Sequence, residues 1–499
     1  MQAMETMNVL HGAVEDNDYD GVVELLRDPT IRSLIDSRDA FGETALGYAV
    51  SAGNAKMVSV LLGAGANANG STGNNESSPL VDCALKGDPV VCALLLAVSG
   101  ILVNRRGVGG LTALIGAVEG GSVETLRLLL NFPGISLTDE CPQFRDALHH
   151  AAERGEVEMC VELLVAGADM EINRPDLNGD TALMLAAHEG NFRVCEVLVG
   201  VDMIDLFVVN DMHQTALAVA ATRGKLDICR LLAPLYDAAH VNIQDSYGMT
   251  SLHRAALFGH SEVLELLLGL FGTLVNEVDR RGNSALHHAA VSGNEEVVRV
   301  LLRTPGVLVN AGNSEGLPAI VSAMLSTHTN TSCQLLLLGA PGIDKVSYVQ
   351  ACLVHRDMEC LLLAADGRLD LRGMGLLDGI LYCLIDSLGD SLSFLDIRDN
   401  PGLTAAGARL PLEAMMDTNP GLMAVRTDLP LLAQECATRQ NAFLSNANVY
   451  LVKLRNLRAQ GLPREQIAEI GALAYAGHFV YRGANMYERA RALIYGLLG

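Results

Sequence analysis

The sequence predicts a mainly α protein: a solenoid of helix-turn-helix units with finger loops, then a short α/β segment and a helical C-terminal tail. Three observations carry that expectation. An apolar anchor recurs at Leu10, Leu46, Leu80, Leu114, Leu148, Leu183, Leu217, Leu252, Leu286 and Ile320, at intervals of 34 to 36 residues. Each interval holds two short apolar stretches on either side of a turn, as in "SALHHAAVSGNEEVVRVLL". After residue 365 that period gives way to two strand-like triplets, Leu369-Asp370-Leu371 and Leu395-Asp396-Ile397, 26 residues apart.

One unit shows why the elements form. In Gly282 to Leu302, Gly282 permits a left-handed turn and "SALHHAAVS" supplies a short helix with an apolar face, which Gly293 ends. Asn294 is expected to cap the second helix, with Glu295 and Glu296 at its positive end. Val297, Val298, Val300, Leu301 and Leu302 then give it a buried face. Neither helix buries its apolar face alone, so units must stack. Glycine also recurs four residues before the anchor, at Gly42, Gly110, Gly179, Gly248, Gly282 and Gly316, marking the tight turn of each finger.

The repeated text, "ETALGYAVSAGNAKMVSVLLGAGANAN", "DTALMLAAHEGNFRVCEVLV" and "MTSLHRAALFGHSEVLELLL", closely resembles the ankyrin repeat over residues 7–342. That family's pattern is a turn, threonine-proline-leucine-histidine, a short helix, a glycine turn and a second helix. The proline is expected to be absent throughout this frame, with alanine or serine in its slot at Ala45, Ala113, Ala147, Ala182, Ala216, Ser251 and Ala285, which softens the helix starts. The weakest units are the one with the loose turn "GSTGNNESSPL" and the one interrupted by "STHTNTS".

This register disposes of the apparent chemistry. His287 and His288 point about 100° apart on a helix, so they do not form an i, i+4 metal pair, and the same holds for His149 and His150. The resemblance implies instead that His11, His149, His253 and His287, each directly after an anchor, tie the turn backbone together. Cys92, Cys160, Cys195, Cys229 and Cys360 fall 12 residues after an anchor or the candidate anchor Tyr348, where other units place Val58, Leu126, Leu264 and Val298. They read as core residues. The "HRD" at His355 to Asp357 is a kinase-loop triplet, but Leu362 stands where that loop needs asparagine, and no D-F-G accompanies it. "GMGLLDG" at Gly373 to Gly379 is only a loose glycine pattern. No catalytic, metal-binding or cofactor-binding constellation is expected.

Beyond the array, residues 343–365 read as a shortened ankyrin-like helix pair. Residues 366–428 are similar to a leucine-rich repeat of the ribonuclease-inhibitor-like kind, with Leu392, Leu395, Ile397, Asn400 and Leu403 on the motif positions; a plain α+β cap is the alternative. Residues 429–499 read as two or three helices that cap the array or dock a second protein. From residue 430 onward there are 8 arginine and lysine residues against 4 glutamates and no aspartate, and 7 of the chain's 21 phenylalanines and tyrosines.

Composition narrows the partners. Of 499 residues, 50% are hydrophobic and 19% charged, enough apolar surface for a large core. A net charge of −23 repels nucleic acid and anionic membranes. No basic-then-apolar leader and no run of about 18 apolar residues is seen, so a soluble cytoplasmic protein without membrane insertion is expected. Eleven cysteines without a C-x-x-C pair suit a reducing compartment. Nothing indicates oligomerisation either way.

The ankyrin resemblance implies protein recognition by finger tips and the concave helix face. The tip residue, five before an anchor, is Phe41, Asn178, Met212, Tyr247, Arg281 or Glu315. Of these, Met212, Tyr247 and Arg281 come from consecutive fingers and belong to types that anchor interfaces. The function expected is a non-catalytic scaffold or adaptor for partner proteins. The alternative is a substrate-receptor subunit of a larger enzyme such as a ubiquitin ligase, with the tail as docking element. Asn242, Asn276 and Asn310 stand near finger starts, where some ankyrin proteins are hydroxylated.

Overall fold

The computed structural model describes residues 2–70, 77–326, 331–343, 368–371, 381, 394–399, 403, 412 and 424–427. Two compact units are present, residues 1–308 with 313–315 and residues 309–312 with 316–499.

The first unit is a stack of helix pairs. They are α1 (Gln2–Glu15) with α2 (Tyr19–Leu25), followed by the extra turn α3 (Pro29–Ser33); α4 (Ala45–Ser51) with α5 (Ala55–Gly63); and α6 (Pro79–Leu85) with α7 (Pro89–Leu96). Next come α8 (Ala113–Glu119) with α9 (Val123–Leu130), α10 (Ala147–Arg154) with α11 (Val157–Val165), and α12 (Ala182–Glu189) with α13 (Phe192–Val199). The last are α14 (Ala216–Thr222) with α15 (Leu226–Leu232), α16 (Ser251–Phe258) with α17 (Ser261–Leu268), and α18 (Ala285–Ser292) with α19 (Glu295–Arg303). First helices pack on first helices and second on second, from α4 through α19.

The first helices from α4 to α18 each start on a hydroxyl or carboxylate two residues before the anchor. Thr112, Thr181 and Thr250 accept the backbone N–H three residues on, and Asp146 does the same for His149. Gly155, Gly190, Gly259 and Gly293 end helices in the left-handed conformation. Pro79 does occupy the family's proline slot, at the first turn of α6 with Ser78 as its cap, so the softening expected elsewhere does not apply there. In the second helices the buried set is i, i+1, i+4: Met159, Cys160 and Leu163, then Val194, Cys195 and Leu198, then Ile228, Cys229 and Leu232. Burying each such side chain contributes about 1.5–3 kcal/mol. The cysteines are therefore packing residues, none joined in a disulfide among the described residues; burial pushes the Cys160, Cys195 and Cys229 thiols up to about 12. Cys360 lies outside the described residues.

Asn294 departs from its expected role. It precedes α19 but makes no side-chain cap; its amide donates to Ala256 O (2.8 Å) and Leu257 O (2.9 Å) of the preceding first helix. Asn191 treats Ala152 O and Glu153 O the same way. Two free carbonyls at a helix end draw the amide more strongly than one N–H of its own helix. Leu302 is half-buried, while Val297, Val298, Val300 and Leu301 are buried as expected.

In the second unit, α20 (Ala319–Leu325) pairs with α21 (Thr331–Leu338), preceded by an isolated bridge between Gly312 and Pro318. Three short strands, β1 (Arg368–Asp370), β2 (Phe394–Asp396) and β3 (Ala424–Arg426), form a parallel sheet in that order, with Leu369, Leu395 and Val425 in register. Leu371, Leu395, Ile397 and Leu403 are buried. The helix pair at 343–365, the "HRD" triplet, the "GMGLLDG" loop, Leu392, Asn400 and the tail 429–499 lie outside the described residues.

Candidate interaction surface at the finger tips

Four fingers are built around an aspartate seven positions before the anchor. Asp39, Asp176, Asp245 and Asp279 each use Oδ1 to accept the backbone N–H groups two and four residues on, at 2.8–3.0 Å. The second oxygen reaches another side chain: Tyr48 Oη (2.7 Å), Arg145 Nε (2.8 Å), Arg254 Nε (2.7 Å) and His288 Nε2 (2.9 Å). Burial pushes the Asp279 carboxyl up, but the Asn283 N–H and His288 outweigh it and hold it below the usual range. The Asp39 hydrogen bond lifts Tyr48 to about 12. This recurring aspartate is legible as a period in the sequence and was not part of the expectation drawn from it.

The histidines are structural. His253 Nδ1 accepts from the Thr250 N–H (3.2 Å) and its Nε2 donates to Glu277 O (2.9 Å) at the start of the next finger. His149 also links its own turn to the next finger, but its Nδ1 donates to the Asp146 carboxylate (2.8 Å), while Nε2 lies 3.0 Å from Arg174 O. Burial pulls His253 down to about 4 and also lowers His288. Neighbouring His287 and His288 face different partners, Ser284 and Asp279. Among the described residues no group of three or more His, Cys, Asp or Glu side chains is arranged to hold a metal. No helix among them is long and apolar enough to cross a membrane.

At the tips, successive fingers are joined through backbone. Leu177 N donates to Gln143 O (2.9 Å), Asp211 N to Asn178 O (3.0 Å), Ser246 N to Met212 O (2.8 Å), Arg280 N to Tyr247 O (3.1 Å) and Ser314 N to Arg281 O (2.9 Å). Because main chain makes these rungs, the side chains stay free. Asn178, Met212, Tyr247 and Arg281 are exposed on four consecutive rungs, and Glu315 follows the last rung. Phe41 is 72% exposed but belongs to an earlier finger, outside this run. Tyr247 is 57% exposed, with the Arg254 guanidinium 5.4 Å from its ring centroid, which holds the ring from beneath.

Two tip residues were missed. Six fingers place glycine at the turn with φ between 74° and 78°. Phe144 and His213 occupy the same slot with φ of 58° and 61°. Phe144 is 47% exposed, and Leu177 on the next finger is 56% exposed.

The family models match these repeats. The family model "Ankyrin repeats (3 copies)" matches residues 10–107, 114–206 and 200–276, and "Ankyrin repeat" matches 281–314, together more than half of the chain. The probable E3 ubiquitin-protein ligase XBOS33 of Oryza sativa subsp. japonica is 30% identical over 200 residues, 38% of this chain and 38% of that protein. Protein glp-1 of Caenorhabditis elegans is 28% identical over 220 residues, 42% of this chain and 17% of that protein. The chain thus spans well under half the length of these relatives. A solved structure of the ankyrin repeat domain of Bcl-3 aligns with a TM-score of 0.40 at 28% identity, covering 44% of this chain and 97% of that domain.

Proposed function

We propose that this chain, which belongs to the ankyrin repeat family, works as a non-catalytic scaffold that binds partner proteins through its finger tips and the adjoining faces of its first helices. The observation that carries this reading is the tip ladder: main chain supplies every rung, so Asn178, Met212, Tyr247 and Arg281 present side chains that the fold does not consume. A rigid row of exposed aromatic, apolar and arginine side chains is the composition that anchors protein interfaces. Phe41 and Glu315 extend the candidate surface beyond that row.

Residues 366–428 are best taken as a leucine-rich-repeat-like segment, a reading supported by one short parallel strand per period and by buried Leu371, Leu395 and Ile397. We place the protein in the cytoplasm on its free, buried thiols. The second reading, a substrate-receptor subunit of a ubiquitin ligase, is favoured by the likeness to the rice ligase, which covers 38% of each chain.

Affinity capture on the full chain tests both. The scaffold reading expects a protein partner that is held by the native chain and lost on combined Tyr247→Ala and Arg281→Ala. Partners retained unchanged by that variant sink the tip assignment. Co-capture of a ubiquitin ligase that survives the double substitution favours the receptor reading.

A further inference from the structure

The turn residue of a finger tip is under a steric rule that glycine satisfies without cost and a bulky side chain does not. Gly179, Gly248 and Gly282 obey it, with φ of 78°, 78° and 74°. Phe144 breaks it at φ 58°, in the same fold position and with the same turn bond, its N–H donating to Cys141 O (2.9 Å) as the Gly282 N–H donates to Asp279 O (2.9 Å). A glycine would make that bond equally well. The ring does not compensate by burial, since it stands 47% exposed. A strained residue whose side chain gives the fold so little is one whose side chain serves something outside it.

Its surroundings say what that is. Leu177, Met212 and Tyr247, exposed by 56%, 53% and 57%, follow on the next three fingers, each tied to its neighbour through the backbone ladder. The row ends at Arg280 and Arg281, both exposed and neither in an ion pair among the described residues. The arginines beneath the tips differ, Arg145 being bound to Asp176 and Arg254 to Asp245. On a chain of net charge −23, an unneutralised cation pair at one end of an apolar row sets a direction.

We propose that the recognition surface is centred on Phe144 and takes an extended peptide segment of aliphatic and aromatic residues, with a carboxylate directed to Arg280 and Arg281. This rests on finger-tip recognition and adds the partner's chemistry. Tips that recur once per unit along a line suit a ligand that offers side chains at regular intervals, as a strand-like segment does.

The test presents the full chain to a random-sequence peptide display library. Enriched peptides are expected to carry apolar residues with aspartate or glutamate towards one end. Phe144→Gly should weaken them about tenfold or more while the unfolding midpoint stays level or rises. Arg280→Gln with Arg281→Gln should weaken them and abolish the preference for the acidic end. No enrichment, or enriched peptides that bind Phe144→Gly as well as the native chain, overturns the proposal. If binding ignores Phe144→Gly but is lost on Tyr247→Ala with Arg281→Ala, tip recognition stands and the Phe144 centre falls. If it ignores both, tip recognition falls as well.

Discussion

The tip and the root of each finger join the same two neighbours by different means. At the tip the rungs are main chain to main chain, as in Ser246 N to Met212 O. At the root, where the chain leaves the second helix, asparagine side chains do the work. Asn104, Asn173, Asn242 and Asn276 each donate to a carbonyl of the next unit and accept from one of its N–H groups, for example Gly272 O (2.8 Å) and Leu274 N (3.0 Å) for Asn242. His253 adds a second clip at the root through Glu277 O. The lesson is one of division: a seam made by main chain leaves side chains free to vary, and a seam made by side chains commits them to one identity.

The largest expected effect breaks the tip seam through its backbone. Gly282 has φ 74°, and a Cβ there would lie 2.5 Å from Ser314 N, the donor of the final rung. Gly282→Ala should cost about 3 kcal/mol, read as a lowered denaturation midpoint. Acid should instead attack the root. An unfolded histidine takes up a proton below about pH 6.5, whereas buried His253 resists until about 4. The unfolded state then binds more protons, so stability is full above the unfolded value and falls as pH drops towards the folded one. That loss should reach about 3 kcal/mol, with a flatter pH profile in His253→Gln. Asn242→Ala removes two clip bonds and should cost about 2 kcal/mol in urea titration. Met212→Ala, on the tip of the preceding finger, should change stability by no more than about 0.5 kcal/mol, because its side chain is not part of the seam. Equal losses from Asn242→Ala and Met212→Ala would erase the distinction between root and tip.

Much of this was legible in residues alone. The leucine anchors, the apolar Cys92 to Cys229 column and the turn glycines follow from a period, and a period is a local property of the text. Asn294 was misassigned because capping chemistry is also local, while the carbonyls of Ala256 and Leu257 that claim its amide come from the preceding unit. The asparagines Asn242 and Asn276 stood out only as recurring residues near finger starts, and their partners lie 30 or more positions away. Phe144 and His213 escaped notice because a missing glycine reads as a gap in a pattern, not as a residue held in a conformation that disfavours it.

The amino-acid sequence by itself determined the repeat, the helix pairs and the buried face of each, since helix periodicity, glycine freedom and apolar burial act within one unit. Only the tertiary structure decided which polar groups are spent between units and which stay free. Stacking brings the carbonyls of one unit within reach of the amides of the next, and a hydrogen bond across that seam depends on placement that no single unit contains.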